Sequence, residues 1–156
     1  PPPGLAGGVR WAAEHFGSFV ADPGAEAGVA YRIDQPDPVF TQFLAPRAQP
    51  GHRTLAVRLR GEGVAPVRAV RSIDYLRYGD GKNAVPTVAI RVEGTRSDGS
   101  RWSATRTFSP TGTFPYRDFR LDFSVPEVLH GLKLNLSVQA EVESKVYLGG
   151  LRLEEQ

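Results

Sequence analysis

The chain has 156 residues, and its 19 lysines and arginines against 17 aspartates and glutamates give a formal net charge of +2 at pH 7. A chain of this length forms one domain by default, and its lack of cysteine excludes disulfides, thiolate metal sites and a cysteine nucleophile. The near balance of charge, with basic residues dispersed along the sequence, argues against a nucleic-acid partner.

The first residues have the composition of a linker. Pro1–Gly8 consists mainly of proline and glycine, which cannot pack a core. We therefore assign residues 1–8 to a linker and residues 9–156 to a single domain. The lack of methionine leads us to expect a processed product or a domain of a longer protein. No run of about 18 apolar residues and no signal-peptide pattern is present, so we expect no membrane insertion.

Alternation of apolar and polar residues predicts β-strands over most of the chain after Gly28. The most regular alternation covers Thr54–Arg60, Thr87–Glu93, Phe119–Val125 and Leu132–Gln139. Less regular strands are predicted at Val29–Asp34, Val39–Ala45, Val67–Tyr75, Trp102–Phe108 and Lys145–Leu153. A short helical turn is predicted within Trp11–Phe19. The chain is thus expected to form about nine strands.

Turn signals separate these strands, for example at Gly79-Asp80-Gly81 and at Ser97-Asp98-Gly99-Ser100, which predicts a hairpin. Strands with one polar face must bury the other face against a second sheet. We therefore predict an all-β fold, a two-sheet antiparallel β-sandwich with jelly-roll topology. A polar outer face of such a sandwich is a common place for an extended ligand to bind.

Patterns of catalytic chemistry are largely missing. His15, His52 and His130 are isolated along the sequence, which argues against a zinc hydrolase site. No nucleophile-elbow pattern surrounds a serine, and Gly79-Asp80-Gly81-Lys82 lacks the upstream glycine of a phosphate loop. No two acids stand out as a glycosidase pair. The sequence therefore predicts a non-catalytic domain without a metal site.

Sugar binding has better candidates. Sugars present apolar C–H faces and rims of hydroxyls, so their sites combine an exposed aromatic ring with polar side chains. The candidate rings are Tyr75, Tyr78 and Trp102, and the candidate polar side chains on the wet sides of predicted strands are Arg58, Arg91, Arg120, Asp122, Asn135 and Gln139. Strand parity favours a core position for Trp102 over an exposed one. A solvated face of arginine–aspartate pairs is the alternative explanation of the polar set.

A series of motifs in the C-terminal half has the order found in one known family. They are Thr87–Glu93, Asp98-Gly99, Trp102–Phe108, Tyr116-Arg117-Asp118-Phe119, Phe123-Ser124-Val125-Pro126, Gly131–Val138 and Val146–Leu153. Upstream, Gln42 and Pro50-Gly51 before the Leu55–Leu59 strand fit the same pattern. Over residues 28 to 153 the chain resembles carbohydrate-binding modules of the family 4/9 type, in the galactose-binding-like jelly-roll group.

Two positions depart from that family. Its last strand often carries an aspartate that helps to bind a structural calcium, whereas Gly149 and Gly150 occupy this region here. The resemblance thus raises the possibility of calcium, these residues argue against it, and we predict no cofactor. Tyr116 stands where the group often has a tryptophan with a packing role, so no binding function is carried over to it.

We predict a non-catalytic carbohydrate-binding accessory module of a larger exported protein, whether periplasmic, cell-surface or secreted. Its partners would be an oligo- or polysaccharide and a neighbouring domain of the same polypeptide. All but three of the 19 basic residues are arginine, which grips carboxylates with its planar fork, so an acidic glycan is a candidate ligand. The alternatives are a structural sandwich that packs against a neighbouring catalytic domain and an enzyme with two acids in a deep cleft.

Overall fold

Nine strands contain most of the residues that the structure describes. The computed structural model describes residues 17–33, 39–67 and 85–155. The strands are β1 (Gly17–Ala21), β2 (Val29–Ile33), β3 (Val39–Ala48), β4 (Gly51–Val64), β5 (Thr87–Thr95), β6 (Arg101–Phe108), β7 (Gly112–Val125), β8 (Leu129–Gln139) and β9 (Lys145–Glu155). Within the described ranges there is no helix of the length and hydrophobicity needed to cross a membrane.

The strands pair into two antiparallel sheets. The first sheet has the order β1-β2-β9-β4-β7, and the second has the order β3-β8-β5-β6. The hairpins β1–β2 and β5–β6 stay within one sheet, whereas the other connections pass from one sheet to the other. This path is that of a jelly roll. The predicted two-sheet antiparallel β-sandwich is therefore confirmed.

The core lies between the sheets and is built from alternate residues of their central strands. The fully buried side chains that β4 and β8 contribute are Leu55, Val57, Leu59, Leu129, Leu132, Leu134 and Leu136. Because successive side chains of a strand point to opposite faces, the residues between these leucines and valines lie on the outer faces. The alternation of buried residues thus determines which polar side chains point to solvent.

The first strand corrects one expectation. Gly17–Ala21 pairs antiparallel with Val29–Ile33, so the prediction of a helical turn is wrong for residues 17–19. Phe19 packs edge-on against Tyr31 with ring centroids 5.2 Å apart. This long-range packing outweighs the local preference of a short segment. Residues 11–16 lie outside the described ranges.

The turn predictions have different outcomes. The predicted hairpin at Ser97–Ser100 joins β5 to β6, and Asp98 accepts hydrogen bonds from the backbone and the hydroxyl of Ser100 at 2.9 and 2.6 Å. The predicted linker Pro1–Gly8, the turn at Gly79-Asp80-Gly81 and residues 68–75 of the predicted strand Val67–Tyr75 lie outside the described residues.

Candidate functional site

The outward side chains of the second sheet form cross-strand rows, which we call the second-sheet face. Its middle row is Phe43, Lys133, Glu93 and Ser103, taken across β3, β8, β5 and β6. The row on one side is Thr41, Asn135, Arg91 and Thr105, and the row on the other side is Arg47, His130, Thr95 and Arg101. Since neighbouring strands lie about 4.8 Å apart, each row extends about 14 Å across the sheet.

Phe43 is an exposed aromatic side chain on this face. It is 53% exposed, whereas its neighbour Gln42 is 3% exposed. The Gln42 side-chain amide donates a hydrogen bond of 3.0 Å to the Phe43 carbonyl. Burying a glutamine while exposing the adjacent phenylalanine reverses the usual preference of both residue types. The aromatic ring is therefore presented to solvent at the edge of a polar surface.

Glu93 is a buried carboxylate that connects two rows of the face. It forms ion pairs with Lys133 at 3.1 Å and Arg91 at 3.4 Å. Burial raises the pKa of Glu93, but hydrogen bonds from Lys133 and Asn135 and the charges of Lys133 and Arg91 outweigh burial and lower the pKa below its usual value. Asn135 in turn accepts a hydrogen bond of 2.9 Å from Thr41. The polar side chains beside Phe43 are thus held in one network.

A cavity of about 130 Å³ opens next to this network. Its lining residues are Glu93, Gly94, Thr95, Arg101, Gly131 and Lys133. The register of β5 and β8 shifts between Glu93 and Thr95, and Gly131 of β8 has a φ of 66°, which favours glycine. A β-bulge therefore creates a small concavity between Lys133 and Arg101.

The outward side chains of β4, β7 and β9 form the first-sheet face, which has a different character. Its ion pairs join Arg58 to Asp118 (3.6 Å), Arg120 to Asp118 (3.2 Å) and Glu154 (3.7 Å), and Arg152 to Glu26 (2.9 Å). Asp122 accepts a hydrogen bond from the hydroxyl of Thr54. Exposed pairs of this kind contribute about 0–1 kcal/mol each to stability. The arginines of this face thus already have carboxylate partners.

One part of the first-sheet face is buried beneath the loop between β1 and β2. Asp22 of this loop is 8% exposed and pairs with Arg60 at 2.8 Å. The Tyr116 hydroxyl donates to Asp22 at 2.7 Å, and the Arg60 guanidinium lies 3.6 Å from the ring centroid of Tyr147. Burial raises the pKa of Asp22, but the hydrogen bonds from Tyr116, Arg60 and Gly24 outweigh burial and lower it. This cluster attaches the loop to the sheet.

The loop between β1 and β2 also packs against β9, at Gly149 and Gly150. Glu26 donates its backbone N–H to the Gly149 carbonyl at 3.0 Å. A Cβ at Gly149 would overlap the Tyr116 ring, and a Cβ at Gly150 would lie 2.8 Å from the Glu26 carboxyl carbon. The resemblance implied an aspartate in this region, and the close packing of Tyr116 and Glu26 leaves little room for one. Among the described residues, no group of three or more acids or histidines is placed to hold a metal ion.

Replacing Gly149 with alanine is expected to destabilise the fold by about 2 kcal/mol, because the added methyl group overpacks the Tyr116 ring. Gly24→Ala is the matched control, since its Cβ would meet the same ring at 3.4 Å, an ordinary contact. Urea unfolding of both variants measures the difference. Equal stability of the two variants would contradict the packing argument.

The structure divides the predicted site residues between two surfaces. Arg91, Asn135 and Gln139 lie on the second-sheet face, and Arg58, Arg120 and Asp122 lie on the first-sheet face. Trp102 lies on the core side of β6, partly buried, with its ring 5.7 Å from that of Phe123. Tyr75 and Tyr78 lie outside the described residues.

Sequence reasoning missed Phe43, Lys133 and Glu93. Lys133 and Glu93 have the same outward parity as Asn135 and Arg91, so the alternation of β5 and β8 already contained this signal. Phe43 had no such signal. Alternation along β3 from the buried Phe40 places Gln42 in the core and Phe43 on the outer face. A pattern that favours apolar residues in the core does not predict that exchange.

Comparisons with known proteins give matches of structure and none of sequence. No family model and no curated protein matches the chain. The structure titled "Family 16 Carbohydrate Binding Module-2" aligns with a TM-score of 0.62 at 11% identity and covers 99% of this chain and 98% of that chain.

Two larger proteins contain a similar fold. The CBM22-1 and GH10 modules of Clostridium thermocellum endo-1,4-β-D-xylanase 10B, complexed with xylohexaose, align with a TM-score of 0.61 at 8% identity, covering 93% of this chain and 25% of that one. The enzymatically active domain of bacteriophage CBA120 tailspike protein 4 aligns with a TM-score of 0.59 at 9% identity, covering 91% and 18%. This chain thus spans a quarter or less of those two proteins. The matches do not single out family 4/9, but they show that the chain has the β-sandwich fold of carbohydrate-binding modules.

Proposed function

We propose that this chain is a non-catalytic carbohydrate-binding module that binds an extended, acidic glycan on its second-sheet face, as an accessory domain of a larger exported protein. The observation that carries the proposal is the exposure of Phe43 beside the buried Gln42. An apolar ring that the fold does not bury is free to contact a ligand.

The residues around Phe43 suit a sugar. An aromatic ring can pack on the C–H face of a sugar ring, while charged and amide groups bind its hydroxyls. Glu93 and Asn135 supply acceptors, and Lys133 and Arg91 supply donors, all within two strand spacings of Phe43, or about 10 Å. The Glu93 ion pairs hold these groups in place before binding, which lowers the entropy cost of association.

The number of acids on the second-sheet face is consistent with binding without catalysis. Glu93 is the one carboxylate in the three rows described above, whereas a glycosidase needs two carboxyl groups on opposite sides of the scissile bond. The similarity in fold to the family 16 module and to the xylanase modules supports a carbohydrate as the partner.

Affinity electrophoresis through gels that contain soluble xylan, β-glucan, galactan or polygalacturonate tests this function. We expect at least one polymer to retard the chain, and we expect Arg91→Ala to reduce that retardation severalfold. Arg120→Ala is the matched control, because both arginine side chains are 47% exposed and paired with a carboxylate, but Arg120 lies on the first-sheet face. Migration unaffected by every polymer would overturn the proposal, and equal loss in both variants would move the site away from the second-sheet face.

A further inference from the structure

We propose that the second-sheet face binds negatively charged substituents of the glycan, carboxylates or sulfates, at the end formed by Arg47, His130, Thr95 and Arg101, which we call the basic row. This inference rests on the proposed function and adds to it the position and the chemistry of an anionic subsite.

The arginines of the two faces differ in whether a carboxylate pairs with them. On the first-sheet face, Arg58, Arg120 and Arg152 are each paired with a carboxylate. On the basic row, Arg47 and Arg101 are exposed, and no carboxylate of the described residues forms an ion pair with either of them. A guanidinium without an acid partner can bind an anion with its planar fork and break no existing pair.

The space beside Arg101 is large enough for an anionic group. The cavity of about 130 Å³ lies between Arg101 and Lys133, with Gly94 and Gly131 among its lining residues. A water molecule in the liquid occupies about 30 Å³, so a carboxylate or sulfate group fits without displacing a side chain.

The charged side chains around this cavity favour an anion. Glu93 also lines it, but its charge is already matched by Lys133 and Arg91. Asp98, in the adjoining β5–β6 turn, adds a second negative charge, which the nearby charge of Arg96 balances. The surroundings of the cavity therefore retain an excess of positive charge from Arg101, which attracts an anion.

The basic row lies within reach of a glycan that is bound on Phe43. The basic row lies beside the row that contains Phe43 and Lys133. Along the strands the two rows are separated by two residues on β5 and β6, or about 7 Å, and by four residues on β3, or about 13 Å. A glycan with one sugar ring on Phe43 would thus place a charged substituent of one of its following rings near the basic row.

The test uses gels of neutral and anionic polymers and two double variants that remove the same charge. Arg47→Ala/Arg101→Ala is expected to lose about tenfold in affinity for the anionic polymer and to keep its affinity for the neutral one. Arg120→Ala/Arg152→Ala, which removes two arginines from the first-sheet face, is expected to change neither. Polygalacturonate and dextran sulfate serve as the anionic polymers and distinguish a carboxylate from a sulfate, and galactan and dextran are their neutral counterparts.

Each outcome bears on one of the two proposals. Binding of neutral polymers alone, or equal losses in the two double variants, would overturn the anionic subsite and leave carbohydrate binding intact. An unchanged affinity of Arg47→Ala/Arg101→Ala for the anionic polymer would do the same. If no polymer retards the wild-type chain, the proposed function itself is wrong.

Discussion

Phe43→Ala is expected to weaken glycan binding by more than about tenfold, because it removes the exposed ring on which a sugar would pack. Aromatic side chains that anchor a ligand commonly contribute about 2 kcal/mol or more, and about 1.4 kcal/mol corresponds to a tenfold change in affinity. Since the ring is 53% exposed in the unbound chain, its loss should change the free energy of unfolding by about 0.5 kcal/mol or less. Isothermal titration with the polymer that gives the strongest gel retardation measures the effect.

Two controls separate this effect from a general loss of apolar surface. Val142→Ala removes an exposed apolar side chain, 61% exposed, from the loop between β8 and β9, and it should leave binding unchanged. Phe43→Trp should retain binding because it keeps an aromatic plane. If Phe43→Ala binds as tightly as the wild-type chain, the ligand does not contact this face through Phe43.

Arg60→Ala is expected to lower the free energy of unfolding by about 3 kcal/mol. The substitution removes the 2.8 Å partner of the Asp22 carboxylate, which is 8% exposed in the wild-type chain, and breaking a buried pair in this way costs about 3–5 kcal/mol. We take the lower end of this range because the Arg60 side chain is 24% exposed to solvent. The loss of the guanidinium from the Tyr147 ring acts in the same direction. Urea denaturation measures the change.

Arg58→Ala is the control for this prediction. Arg58 lies two residues away on the same strand, also near Tyr116, but its pair with Asp118 is longer, at 3.6 Å, and more exposed. We expect a loss of about 1 kcal/mol or less. Equal losses from the two variants would show that the burial of Asp22 does not increase the free-energy cost of removing its partner.

The stability difference between Arg60→Ala and the wild-type chain should depend on pH. The pKa of Asp22 is lowered in the folded chain, so its ionised form stabilises the fold above the unfolded value of 3.8, and this contribution is lost as the pH falls through the folded pKa. The difference should therefore shrink between about pH 5 and pH 2. A difference that stays constant over this range would argue against the ion pair as the cause.

The fold was predictable because binary patterning sets which residues a sandwich buries. Leu55, Val57 and Leu59 alternate with polar residues, and all three are fully buried, so local sequence was sufficient for β4. β1 was not predictable, since Gly17–Ala21 has no clear alternation and is held by pairing with β2 and by the contact of Phe19 with Tyr31. Contacts between distant segments decide such a strand.

The site was predictable only in part, because parity tells which face of a strand is wet but not which sheet contains the strand. Arg91 and Arg120 have the same wet-face pattern in sequence, yet they lie on opposite sides of the sandwich. The pairing of β5 with β8 and of β4 with β7 makes this division, and it depends on connections that a single sequence does not encode locally.

Because the arginines of the two faces are paired to different extents, an anionic polymer would attract the second-sheet face more strongly than the first-sheet face. Arg47 and Arg101 have no acid partner among the described residues, so near a polyanionic matrix their guanidinium groups would be attracted toward the matrix. The paired arginines of the first-sheet face would be attracted much less. Rotational diffusion would thus be biased toward encounters that already present Phe43 to the polymer. This bias would raise the association rate at low ionic strength and fade as salt shortens the Debye length.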